Sequence, residues 1–155
     1  MFSAAEEIIE FFDEKEVHYR VQEHEEETRI IADVVVDYAA FSVVFLITSE
    51  ENDVSVRVPH FVRFKEQEYA EMLRVANQVN DRYRFCKFTV NREAEAVTME
   101  YDFPENTEQI GPAAHEIFQR TMQIAEEAYP EFMRAIWGSP KNYSVDKIEF
   151  RDIEV

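Results

Sequence analysis

The sequence predicts an α+β fold: a single domain built on a mostly antiparallel five-stranded sheet, in the order α-β-β-β-α-β-β-α, followed by a C-terminal tail. Three observations carry this reading. Apolar residues recur at helical spacing in three separated stretches. Between them lie runs with a two-residue apolar period. The runs are joined by short polar turns, which fit hairpins better than the long crossovers a parallel sheet requires. With no internal repeat, linker or low-complexity segment in its 155 residues, the chain reads as one domain over 1–138 and a tail over 139–155 that could form a short strand or an arm.

The first helix is "SAAEEIIEFFDEK", with Ala5, Ile8, Ile9 and Phe12 as its stripe and Ser3 and Glu6 at capping-box spacing. "VHYRVQ" then alternates through Val17, Tyr19 and Val21, and "EHEEE" (23–27) is a solvated turn or strand end. "TRIIADVVVD" continues the strand pattern with Ile30, Ala32, Val34 and Val36, and its other face also holds Ile31 and Val35. "FSVVFLIT" repeats this, with Phe41, Val43, Phe45 and Ile47 on one face and Val44 and Leu46 on the other. Strands apolar on both faces are usually covered on both. The first and third helices are therefore expected on one face, and the second helix or a partner subunit on the other. "VSVRV" (54–58) is expected to stop at Pro59, which removes a ladder donor.

"EQEYAEMLRVANQVN" is the second helix, followed by a hairpin of "RFCKFTV" and "AVTMEYDF". The third helix begins near "GPAAHEIF", with Pro112 near its first position, and Pro130 is expected to interrupt or restart it. Asn80 can close the second helix in place of a C-cap glycine, and Asn77 can bond the following turn, so these two form a structural helix-end motif.

Charge narrows the function. The formal net charge is −17, with 16 basic against 33 acidic residues. Nucleic-acid binding needs phosphate neutralisation by Lys and Arg, and an anionic membrane surface repels such a chain, so neither is an expected partner. Acidic charge serves solubility, or steers basic partners. No secretory signal pattern opens the chain and no apolar run reaches about 20 residues, so a cytoplasmic protein is expected.

Motifs of catalysis are missing. Gly111 and Gly138 are the only glycines, too few for a dinucleotide fingerprint, a P-loop or a nucleophile elbow. His24-Glu25 and His115-Glu116 begin H-E-x-x-H, but Thr28 and Gln119 stand where the second histidine belongs. "SEENDVSV" lacks the ligand spacing of a calcium loop. Cys86 reads as a small core residue. Asp33 with Asp37, and Glu100 with Asp102, share strand faces by parity, as ordinary outer-face carboxylates do. No catalytic, cofactor-binding or metal-binding residue is assigned.

The segment from "ANQVN" through "RFCKFTV" to "AVTMEYDFPEN", about residues 66 to 106, resembles the YbjN family of small bacterial proteins. The flanking order, ending in "YPEFMRAIWG", extends the likeness over most of the chain. The turn "NREAEA" (91–96) departs from it by lacking a glycine, and the tail lies outside it. The resemblance implies a fold similar to type III secretion chaperones, which are small, acidic, usually dimeric proteins that bind an extended client segment. It also implies a sensory transduction regulator, and it brings no catalytic residues.

The expected function is thus a non-enzymatic protein-protein interaction module, chaperone-like or regulatory, binding a client protein as a homodimer. Phe61, Val62 and Phe64 in "HFVRF" are the candidate interaction surface, against the simpler reading that they pack in the core. The alternative function is a small ligand-binding or enzymatic domain with a scattered carboxylate and histidine site.

Overall fold

Helix α1 (Ser3–Glu14) buries Ala4, Ala5, Ile8 and Phe12 and leaves its acidic residues in water. Ser3 does not cap it. The helix starts one residue earlier than the capping-box spacing implied: the Phe2 carbonyl accepts the amides of Ala5 and Glu6, and Ser3 is the first helical residue. At its far end Glu16 takes the left-handed conformation (φ 56°), so that Val17 N–H reaches the Phe12 carbonyl and Glu16 N–H that of Asp13. This is a Schellman closure made without glycine.

The computed structural model describes residues 1–48 and 53–138; the tail segment 139–155 lies outside them. Six strands follow α1 in one sheet: β1 (Arg20–Glu23), β2 (Thr28–Val35), β3 (Ala40–Ile47), β4 (Val54–Arg63), β5 (Lys87–Asn91) and β6 (Ala96–Asp102). Their spatial order is β1-β2-β3-β4-β6-β5, and every pairing is antiparallel. The α+β class and the antiparallel sheet are as expected; the described residues form six strands rather than five. The extra strand is β1, which turns back through His24–Glu27 to pair with β2 in its own short hairpin.

Pro59 does not end β4. The strand runs on to Arg63, and its pairing with β6 shifts register between Val58 and Val62. Three residues of β4 (Pro59, His60, Phe61) oppose the single Thr98, with His60 at φ 51°. Proline is tolerated because its missing donor falls in a bulge, beyond the last pair with β3 at Arg57. The bulge turns both Phe61 and Val62 into the core. Phe61 lies 5.0–5.8 Å from the rings of Phe41, Phe88, Tyr129 and Phe132.

Helix α2 (Tyr69–Arg82) follows a short 3-10 turn, and α3 (Ile110–Trp137) is a single helix of 28 residues, about 42 Å long. Pro130 neither breaks nor restarts it; Ala128 and Phe132 are fully buried on either side and hold the helix to the core. Pro112 is its third residue, in the first turn, near the helix start as expected. At the α1–α3 crossing Gly111 lets the backbones touch: a Cβ there would stand 2.8 Å from the Glu7 carbonyl oxygen and 2.9 Å from Phe11 Cβ. The Glu7 carboxylate in turn accepts the Gly111 amide at 3.3 Å, a cap supplied to α3 by α1.

All three helices lie on one face of the sheet. Ile8 and Phe12 of α1, Met72 and Val79 of α2, and Phe118 and Phe132 of α3 form one buried cluster with Ile30, Phe45, Val56 and Met99. The expectation that α2 covers the second face is therefore corrected. Its apolar side meets the same core, beside α3, and no described helix covers the opposite face.

Candidate functional site

Two places could act on other molecules: the uncovered sheet face, and the loop that joins α2 to β5. The register defines the first. One row crosses the entire sheet as Arg20, Ile31, Val44, Arg57, Glu100 and Lys87; the next reads Gln22, Arg29, Leu46, Ser55 and Asp102. Ile31 is nearly buried by its neighbours, Val44 and Leu46 are half-buried, and Val35 at the corner is 82% exposed. A ridge of aliphatic side chains thus runs down β2 and β3, with charges around it.

Those charges are paired within the face. Arg20 bridges Asp33, and Ser42 Oγ donates to the same carboxylate at 2.6 Å. The Ser42 hydrogen bond first, then Arg20, holds the Asp33 carboxyl below its ordinary range. Arg57 donates to Asp102 at 2.7 Å and to the Val56 carbonyl at 2.8 Å. Lys87 faces Glu100 at 3.7 Å, and Arg29 bridges Glu27. Arg29 Nε is buried with no acceptor among the described residues. By register the face carries Arg20, Arg29, Arg57, Arg63 and Lys87 against Asp33, Glu100 and Asp102, with Glu27 joining from the adjacent turn, so it is near neutral on a chain of −17. Asp37 is not beside Asp33 on a strand, because β2 ends at Val35.

The edges of the sheet are less open to another strand. β1 has only four residues. At β5, Asn80 of α2 closes the edge: its Nδ2 donates to the Phe88 carbonyl at 3.0 Å, and its Oδ1 accepts the Phe88 amide at 2.6 Å. An asparagine side chain here imitates the backbone of a seventh strand. Asn80 is structural, but not as the left-handed helix cap that its position suggested; it lies inside α2, which ends at Arg82 with an extended Tyr83. Asn77 is exposed and has no side-chain hydrogen bond among the described residues.

The loop Tyr83–Cys86 is flanked by two small clefts of about 270 and 250 Å³ that share Tyr83, Arg84 and Phe85. Its polar groups clamp α2 to α3. Arg82 makes a two-pronged bond to Glu131 at 2.7 and 2.8 Å, Tyr83 donates to Glu127 at 2.9 Å, and the Arg120 guanidinium lies 4.4 Å over the Phe85 ring. Burial pushes the Cys86 thiol up, and burial likewise raises Tyr83 and Tyr101. Every one of these shifts moves a group away from neutrality, the reverse of what acid–base or nucleophilic work needs.

Phe61, Val62 and Phe64 are 3%, 2% and 5% exposed, so the surface proposed for them is corrected to core packing. His24 and Glu25 line a shallow cleft with Phe2 and Thr48, and among the described residues no three metal-binding side chains come together. The second face was legible as Ile31, Val35, Val44 and Leu46 on the other side of their strands; what the sequence could not say was that no described helix covers it.

Residues 4–134 match the YbjN family, whose description is "Putative bacterial sensory transduction regulator". The chain belongs to the YbjN family. The match takes in α1, the whole sheet and all but the last turn of α3. A comparison with curated proteins found no match. The YbjN description is regulatory and names no reaction. No helix among the described residues is long and apolar enough to cross a membrane, α3 included.

Proposed function

We propose that this YbjN protein is a regulatory, non-enzymatic interaction module that docks another protein on its open sheet face. One observation carries the reading: the described helices are all on one side, and the side they leave presents Val35, Val44 and Leu46, beside a buried Ile31, inside a frame of paired charges. An aliphatic centre with a polar rim is the usual anatomy of a protein interface. The edges add support by contrast, since Asn80 occupies the backbone groups that an added strand would need at Phe88. The scattered-site enzyme is the weaker reading: the cleft of about 780 Å³ beside His24 and Glu25 is open and brings together no three metal-binding side chains among the described residues, and burial moves the Cys86 thiol and the Tyr83 phenol away from neutrality.

The test is site-specific photo-cross-linking in the native cell extract, with the photo-reactive residue at Ser55 on the open face or at Asn77 on the exposed side of α2. A discrete protein adduct from position 55 and none from 77 is expected, lost when Val44→Asp is added. Equal adducts from both positions, or none from 55, would sink the proposal.

A further inference from the structure

We infer that residues 139–155 of the same chain lie across the open face as a tethered cover, with Ile148 and Phe150 on its aliphatic ridge. This rests on the interaction reading above and regulates it: a protein that docks on the face must displace the chain's own tail.

The route comes first. Phe12 joins Phe45 of β3 to Phe118 of α3, and Phe41 of the same strand meets Tyr129. Helix α3 therefore runs against the direction of β3, toward the end of the sheet where β2 turns into β3. Trp137 lies eight residues past Tyr129, about 12 Å farther that way, so the chain leaves α3 at this rim. Three of the five exposed large apolar residues among those described stand at the same end: Trp137, Tyr38 in the β2–β3 turn, and Val35 where β2 stops. By strand parity Val35 shares the open side with Val44 and Leu46. Exposed apolar groups thus mark a way from the end of α3, over the rim, to the ridge.

Length and pattern fit that route. Val44 lies four residues along β3 from the rim at Ala40, about 13 Å, and rounding the sheet from the helix layer to the open face adds roughly 15–20 Å. About nine extended residues span this distance, so the chain from Lys147 onward arrives over the ridge. There the sequence reads Lys147-Ile148-Glu149-Phe150-Arg151, apolar at every second place. Laid out extended, it sets Ile148 and Phe150 on the ridge and turns three charges to water. Charge agrees as well. Residues 139–155 hold three basic and four acidic residues, a net −1, which leaves −16 of the −17 on residues 1–138. A near-neutral segment meets a near-neutral face without the repulsion that the acidic residues of α1 would impose. The tether then holds the segment at a high effective concentration, against which a docking protein must compete.

The experiment places the photo-reactive residue at Ser55 or at Asn77 in the purified full chain, as an equal mixture of isotope-labelled and unlabelled protein, each form checked for native circular dichroism. Mass spectrometry identifies the peptides joined on irradiation. Position 55 is expected to join peptides of residues 139–155 within one chain and position 77 is not. Ile148→Asp with Phe150→Asp should abolish the adduct; both positions lie outside the family match, which ends at residue 134. If that double variant fails to fold, the adducts of the otherwise unaltered chain decide alone. In native extract the double variant should raise the yield of foreign-protein adduct from position 55 by about fivefold, the change expected for a face covered about four-fifths of the time. The inference is overturned if purified protein gives no tail adduct from position 55, equal tail adducts from 55 and 77, or tail adducts only between labelled and unlabelled chains. A foreign adduct whose yield ignores the double variant overturns it too, and leaves the docking reading standing. A tail adduct within one chain, with no foreign adduct in extract from either form, upholds the cover and removes the docking reading instead.

Discussion

Replacing Asn80 by alanine should cost about 1.5–2.5 kcal/mol. The figure follows from what the side chain holds. Asn80 satisfies both backbone groups of Phe88, at 3.0 and 2.6 Å, and Phe88 is only 3% exposed. Two hydrogen bonds of about 1 kcal/mol each, with part of the penalty for a carbonyl and amide left dry, give about 2–3 kcal/mol. Alanine returns roughly 0.5 kcal/mol through its better helix propensity in α2. For a domain of this size the midpoint should fall by about 4–8 °C. Asn80→Asp is the sharper variant. It is nearly isosteric and keeps the acceptor for Phe88 N–H, but it sets a second oxygen against the Phe88 carbonyl. It should lose at least as much as alanine. Urea unfolding followed by far-UV circular dichroism gives the energies; fluorescence is a poor probe because the single Trp137 is 82% exposed in the native state. Hydrogen exchange of the Phe88 amide should accelerate in both variants. An Asn80→Asp protein within about 0.5 kcal/mol of wild type, with Phe88 still protected, would refute the strand-imitating pairing.

Two other outcomes test the frame that exposes the face. Gly111→Ala should destabilise by about 1–2 kcal/mol, since its Cβ would press the Glu7 carbonyl and Phe11 at under 3 Å and the overpacking exceeds the helix-propensity gain; a chemical denaturation midpoint equal to wild type would contradict the tight α1–α3 crossing. His115 packs edge-on to Phe11 at 5.7 Å, and burial, then Lys15, lowers its pKa. The unfolded chain therefore binds the proton more readily, so stability should fall as pH drops below the ordinary histidine value of about 6.5, and His115→Gln should flatten the slope between pH 5 and 7. An unchanged slope in that variant would show that His115 is not the group responsible.

The elements were legible because each carries its own period: β2, β3 and β6 alternate along their length, and α1, α2 and α3 keep helical stripes. What stayed hidden depends on contacts distant in sequence. Pro59 looked terminal because its meaning depends on where β3 stops pairing, at Arg57. Pro130 looked like a break because the side chains that anchor α3 around it, Phe61 and Phe88 against Phe132, come from other elements. Asn80 looked like a cap because sequence shows its neighbours in α2 and not the strand eight residues on. The apolar second face of β2 and β3 was visible, but a strand face covered by a helix and one covered by another chain have the same composition.

That ambiguity bears directly on the mode of docking. A sheet with helices on one side can receive a partner at an edge, through backbone bonds, or on its face, through side chains. Edge addition needs a free row of backbone donors and acceptors and is indifferent to the face. Here one edge strand has four residues, and the other has its central pair taken by Asn80, an arrangement that suppresses unplanned strand addition. The face, by contrast, keeps aliphatic residues at Val35, Val44 and Leu46 where charged ones would be cheaper for a lone monomer. The proposed docking therefore runs through side chains on the face and not through an added strand. On that proposal, the pattern of Arg29, Arg57, Glu100 and Asp102 around the ridge would set which surface can lie there and in what register.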